Sequence, residues 1–268
     1  MTWLAELGES HAGDTGGLGQ AGSEAGDQCC GVAEVGDEDV VTDESSRGVA
    51  RRDTNSAALR ARAAGLDPGM RLETWDTTAA VRYDQQLWTE LTSLRFLDGP
   101  HGALLLGPVG VGKTHLATAL GHIAVRRRHS VHMARADKLF KRLKAARLDN
   151  TVEAQMRRLA HVQLLILDDF APQPLDATET TDFYELIVGR HRKTATVLTS
   201  NREPSEWLAM MADPLLAQSA VDRLVSTAHE LIIEGDSYRR RQKTTHHTKT
   251  DANTGVSVDQ QKGDHHTH

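Results

Sequence analysis

Between residues 57 and 243 short apolar runs alternate with stretches of helical spacing, and the two ends of the chain show neither pattern. Leu87, Leu91 and Leu94 fall at i, i+4 and i+7, which predicts an amphipathic helix ahead of the apolar run Ala103-Leu104-Leu105-Leu106. Leu116, Leu120 and Ile123 then hold one helical face as far as Arg126-Arg127-Arg128, cations that suit a helix C-terminus. Val131 to Ala134 reads as a short strand. A basic amphipathic helix over 135–147 follows, with Leu139, Leu143 and Ala146 on one side and Lys138, Lys141, Arg142, Lys144 and Arg147 around the rest. Asn150 with Glu153 reads as a helix cap, and Asp176 with Glu179 repeats that signature ahead of a helix bearing Phe183 and Ile187. Four consecutive apolar residues, 164–167, suit a strand buried on both faces, and 194–200 reads as another strand. These alternating units predict an α/β fold, a parallel sheet flanked by helices.

Composition changes the picture mainly at the ends. The 268 residues are 39% hydrophobic with formal net charge −6, enough for one folded domain with loose ends. Residues 1–46 hold eleven Asp or Glu and no Lys or Arg, so the remainder carries 31 basic against 26 acidic side chains, a net +5. That excess fits a polyanionic partner. Residues 1–56, acidic and Gly-rich, and 244–268, with five of the fourteen histidines, lack periodicity and are expected to be disordered. Cys29 and Cys30 are adjacent with no second pair, which argues against a zinc site or a disulfide framework. No secretory signal or membrane-length apolar run is present, so a cytoplasmic protein with no membrane partner is expected.

The chemistry concentrates where strands end. Gly107, Pro108, Val109, Gly110, Val111, Gly112, Lys113 and Thr114 form a complete phosphate-binding loop between an apolar run and a helical segment. Glycines let backbone N–H groups turn toward phosphate oxygens, and the following helix adds its positive end. Lys113 then neutralises β- and γ-phosphates, and Thr114 holds Mg²⁺. Asp168 and Asp169 close the 164–167 strand at the carboxyl edge of the sheet, where Asp168 reaches the Mg²⁺ and Asp169 polarises a water. Turn chemistry before Pro172 and Pro174 is the competing account of these acids. Asn201, after the 194–200 strand, is placed to hold that water. Trp75 stands open to two readings, a border of the base or plain core packing.

The stretches LLLGPVGVGKTHLATALGHIAVRRR, LLILDDFAPQPLDATETTDFYELI, VLTSNREPSEWLAMMADPLLAQSAVDRLV and EGDSYRRRQK together resemble IstB-type insertion-sequence transposition helper ATPases over roughly 59–243. That family is a sister of the DnaC helicase loaders within the AAA+ P-loop NTPases. The resemblance implies a helical lead-in at 57–100 and an AAA+ ATPase core at 101–243. It implies Walker A at Gly107–Thr114, Walker B at Asp168 and Asp169, sensor 1 at Asn201, an arginine finger at Arg223 and a sensor 2 arginine at Arg239. It further implies Mg²⁺-dependent ATP hydrolysis, a homo-oligomer with shared active sites, sequence-independent duplex DNA binding and a partner transposase. Residues 1–56 depart from the family's usual helical N-terminal module. A DnaC-like helicase loader, a small-molecule kinase and a non-hydrolysing nucleotide switch are the alternatives.

Overall fold

The computed structural model describes residues 54–76, 81–99 and 101–238. The acidic segment through residue 53, Cys29, Cys30, Arg239 and the His-rich tail lie outside the described residues. Among the described residues the strands are β1 (Val81–Arg82), β2 (Gly102–Leu106), β3 (Val131–Arg135), β4 (Leu164–Asp168), β5 (Ala195–Ser200), β6 (Ala228–Ile232) and β7 (Glu234–Gly235). The helices are α1 (residues 54–63), α2 (Gln85–Ser93), α3 (Lys113–Arg126), α4 (Ala136–Leu148), α5 (Val152–His161), α6 (Ala177–Arg190), α7 (Pro204–Trp207) and α8 (Pro214–Val225).

Strands β2 to β6 form one all-parallel sheet in the order β3-β4-β5-β2-β6, as the alternation of runs predicts. Side chains alternate across a strand, so each apolar run feeds two cores. Leu104, Leu106, Leu165, Leu167 and Leu198 face α4, α5, α6 and α8, meeting Leu139, Leu143, Phe183 and Leu224. Ala103, Leu105, Leu164, Ile166 and Val197 face α1, α2 and α3, meeting Ala61, Leu91, Leu116 and Leu120. Helices on both faces leave the carboxyl ends of the strands as the open crevice of the fold. The 57–100 region is helical in α1 and α2, but it also contributes β1, which pairs antiparallel with β7.

One local expectation changes. Asn150 is not the cap of α5: it takes φ 53°, a left-handed turn that Asn tolerates, and Thr151 occupies the cap position without a side-chain hydrogen bond. The Asp176–Glu179 capping box of α6 is formed as expected. On α4, two of the basic side chains that surround the apolar face are paired with acids. Lys144 Nζ pairs with Glu179 at 2.9 Å and with Asp176, and Arg147 forms a two-pronged pair with Asp182, whose carboxylate is fully buried. Lys144 and Arg147 therefore fasten α4 to α6. Arg147→Ala strands a buried carboxylate, so urea unfolding should show a loss of about 2–3 kcal/mol, somewhat below a fully buried pair because Arg147 is partly solvated. Unchanged stability would show that the pair with Asp182 does not hold α4 to α6.

At the amino edge of the sheet Arg190 is almost wholly buried among neutral acceptors. It donates to Thr196 Oγ1 and the Val162 carbonyl, both at 2.9 Å, and to the Leu159 and Ala195 carbonyls. Burial pulls its pKa down to about 9. The side chain ties α6 to α5 and the start of β5, far from the open crevice.

Candidate functional site

The loop between β2 and α3 returns on itself because its glycines take backbone angles closed to other residues. Gly107 has φ 149°, and a Cβ there would strike the Ile233 carbonyl; Gly112 has φ 97°, and a Cβ would lie 2.5 Å from Trp75 Cη2. Pro108 and Val109 form the exposed crown, while Val111 is buried and anchors the loop in the core. Lys113 and Thr114 open α3, whose N-terminus points into the crevice. Lys113 Nζ folds back to donate to the Gly107 carbonyl at 2.6 Å and the Pro108 carbonyl at 2.7 Å. Burial lowers its pKa, and the carboxylates of Asp169 and Asp168 oppose that shift.

Register decides what faces the loop. Asp168 ends β4 and is buried; its Oδ1 accepts from Thr114 Oγ1 at 2.9 Å and from Thr199 Oγ1 at 2.7 Å. The loop, the acid and the neighbouring strand β5 thus meet at one oxygen. Asp169 leaves the strand with φ 55°, its N–H donates to Thr199 Oγ1 at 2.9 Å, and its carboxylate stays half exposed. Arg135, which ends β3 opposite Asp168, lies 3.2 Å from Asp169 Oδ2 and 3.2 Å from Asp137 Oδ1. Asn201 follows the end of β5 and borders the same cavity of about 520 Å³.

That cavity holds Val109 to Thr114, Asp168, Asp169 and Asn201 together, and it is large enough for a nucleotide. Trp75 has the core packing that one of its readings expects, and it also borders the cavity. It lines the cavity beside Gly112, and it also packs edge-on with Tyr83 and His115 at 6.5 and 5.2 Å against the core. Arg223 is not brought to this cavity: it lies on α8, where Nη1 donates to the Ser219 carbonyl at 2.8 Å and to the Ser219 hydroxyl. Arg239 lies outside the described residues, but its neighbour Tyr238 reaches the loop, donating its N–H to the Gly110 carbonyl at 3.0 Å.

Thr199, Arg135 and Tyr238 join the site without having been singled out from sequence. Arg135 and Thr199 had a readable signal, polar residues at the carboxyl ends of strands that flank the acidic one. Tyr238 had none. The donors suit a hard cation: a hydroxyl on Thr114 and a carboxylate on Asp168, 2.9 Å apart at the mouth of the loop, are the oxygen types that Mg²⁺ accepts beside phosphate. No helix among the described residues is long and apolar enough to cross a membrane.

The family model for IstB-like ATP binding proteins matches residues 20–246, reaching further toward the amino terminus than the 59–243 span that carries the sequence resemblance. An ATP-binding protein in an insertion sequence of Mycobacterium tuberculosis is 36% identical over 196 residues, 73% of this chain and 78% of the relative. The insertion sequence IS21 ATP-binding protein of Pseudomonas aeruginosa is 36% identical over 189 residues, 70% of this chain and 71% of the relative. Among solved structures, the DnaC helicase loader is similar with TM-score 0.53 and 18% identity, covering 62% of this chain and 98% of that one. AMPPCP-bound DnaA from Aquifex aeolicus gives TM-score 0.53 and 22% identity over 72% of this chain and 58% of that one. At these identities the structural likeness is one of fold.

Proposed function

Because this chain belongs to the family of IstB-like ATP binding proteins, AAA+ P-loop proteins of insertion sequences, we propose that it hydrolyses ATP and uses the cycle to handle target DNA for a partner transposase. The observation that carries the reading is the double acceptance at Asp168 Oδ1, which fastens the phosphate loop to the acidic strand and to β5. Lys113 leaves the Gly107 and Pro108 carbonyls for the β- and γ-phosphate oxygens, where its charge is better matched. Gly107 to Thr114 supply backbone N–H donors, and the N-terminus of α3 adds its partial positive charge. Mg²⁺, when bound, would supply neutralisation of phosphate charge. Thr114 and Asp168 are the residues that would hold it.

Asp169 orients and deprotonates the attacking water, aided by Asn201. In the structure its carboxylate is paired with Arg135, so Arg135 restrains the base until a triphosphate competes for the guanidinium. Arg223 of one subunit completes the site of the next, and Arg239 takes the sensor 2 role that the family resemblance implies. The exposed cations Lys138 and Lys141 on α4 serve duplex DNA through phosphates rather than bases. A cytoplasmic setting, with 101–243 as the ATPase core and 57–100 as its lead-in, belongs to the same proposal.

ATPase rate and sedimentation, measured with and without duplex DNA, test this reading. The full chain should hydrolyse ATP, assemble with nucleotide and respond to duplex. Asp169→Asn should keep ATP affinity within a few-fold while hydrolysis falls by about 10²–10⁴, the worth of a positioned general base. Equal loss of binding and hydrolysis would make Asp169 structural, and phosphate transfer to a small acceptor without DNA stimulation would point to a kinase.

A further inference from the structure

Beside the sheet-edge strand β3, at its amino end, a second cavity of about 600 Å³ lies among α1, the end of α3, α4 and α5. It shares no lining residue with the nucleotide cavity. Arg60, Arg142, Arg158, His129, His132 and His161 border it, and none of its lining residues is Asp or Glu. Arg60 is engaged, donating to Ser56 Oγ at 2.7 Å and to the Val125 carbonyl at 3.2 Å. The side chains of Arg142 and Arg158 make no hydrogen bond or ion pair among the described residues, and His132 Nε2 is buried without a partner.

Cations at helix C-termini meet the helix dipole, which accounts for Arg158 and His161 in the last turn of α5. It does not account for Arg142, in the middle of α4, turned toward the same space. Burial holds His132 below the usual imidazole pKa, and the charges of Arg142 and Arg158 push it the same way. Arg142 and Arg158 are both exposed and border one cavity that no acidic residue lines, and planar guanidinium forks match tetrahedral oxyanions.

We propose that this cavity is a second phosphate-binding site, separate from the phosphate loop, in which Arg142 and Arg158 grip a phosphate-bearing ligand with His132 beneath them. Free oligophosphates and the backbone of nucleic acid both supply that chemistry. Its test uses the full chain carrying Lys113→Ala, which disables the phosphate loop, so that failure here is separate from failure of the ATP site. Tripolyphosphate and short duplex DNA are titrated in parallel by calorimetry, while NMR follows the His132 ring. Adding Arg142→Gln with Arg158→Gln should weaken binding by about tenfold or more for tripolyphosphate if the ligand is free, or for duplex if it is a backbone. Arg142→Lys with Arg158→Lys should keep part of the affinity, showing that charge rather than folding was lost. The His132 signals should move on binding with both arginines intact. Affinities indifferent to the glutamine pair, or a His132 ring that ignores both ligands, overturn the proposal.

Discussion

Lys113→Ala is expected to remove detectable ATP binding while leaving the protein folded. In the structure the ammonium group is held only by two loop carbonyls, so its loss removes no core contact and thermal unfolding should barely move. The effect on binding is large because Lys113 stands against Asp168 and Asp169. Without it, a polyanionic ligand meets two carboxylates balanced only by Arg135. Losing charge-assisted hydrogen bonds worth about 3 kcal/mol corresponds to about a hundredfold in affinity, before that repulsion is counted. Lys113→Arg should not rescue, because a planar fork does not fit a site that closes on a point charge. Fluorescent-nucleotide titration reads both variants. ATP affinity within tenfold of the unaltered chain in Lys113→Ala would place the triphosphate elsewhere.

What could be read from the chain follows from how local each signal is. The sheet was legible because strands buried on both faces are unbroken apolar runs, as in Leu164 to Leu167. The phosphate loop was legible because its chemistry needs contiguous residues, and Asp168, Asp169 and Asn201 because they end strands that topology gathers at one edge. Features set by distant partners were not. The amphipathic pattern of α4 separates the buried face from the rest, but it does not say that Lys144 and Arg147 meet acids some 35 residues away on α6. The β1–β7 pair is two residues long on each side, too short for a period to register. At the start of α5, Asn150 and Thr151 are both favourable cap residues, and only the backbone turn distinguishes them.

Arg223 gives the sharpest test of assembly. Its cavity neighbours include Gly102, at the amino end of β2, whereas the phosphate loop begins just past the carboxyl end of that strand. Five residues at about 3.3 Å each separate the two ends by about 16 Å, beyond the reach of one side chain. A role for Arg223 at a triphosphate therefore requires the triphosphate of a neighbouring subunit in a head-to-tail assembly. Arg223→Ala should leave ATP affinity nearly unchanged and lower hydrolysis by about 10³, the lower range for an arginine finger. Asp169→Asn is inactive for the complementary reason. In an equal mixture, a site is complete when a subunit with intact Asp169 is followed by one with intact Arg223, so about a quarter of the sites should regain activity in a head-to-tail array. The mixture should thus far exceed the sum of its inactive parts, and the gain should vanish on dilution below the assembly concentration. Activity equal to that sum at all concentrations would confine Arg223 to its own chain, where its partner is Ser219 and its role is to hold α8.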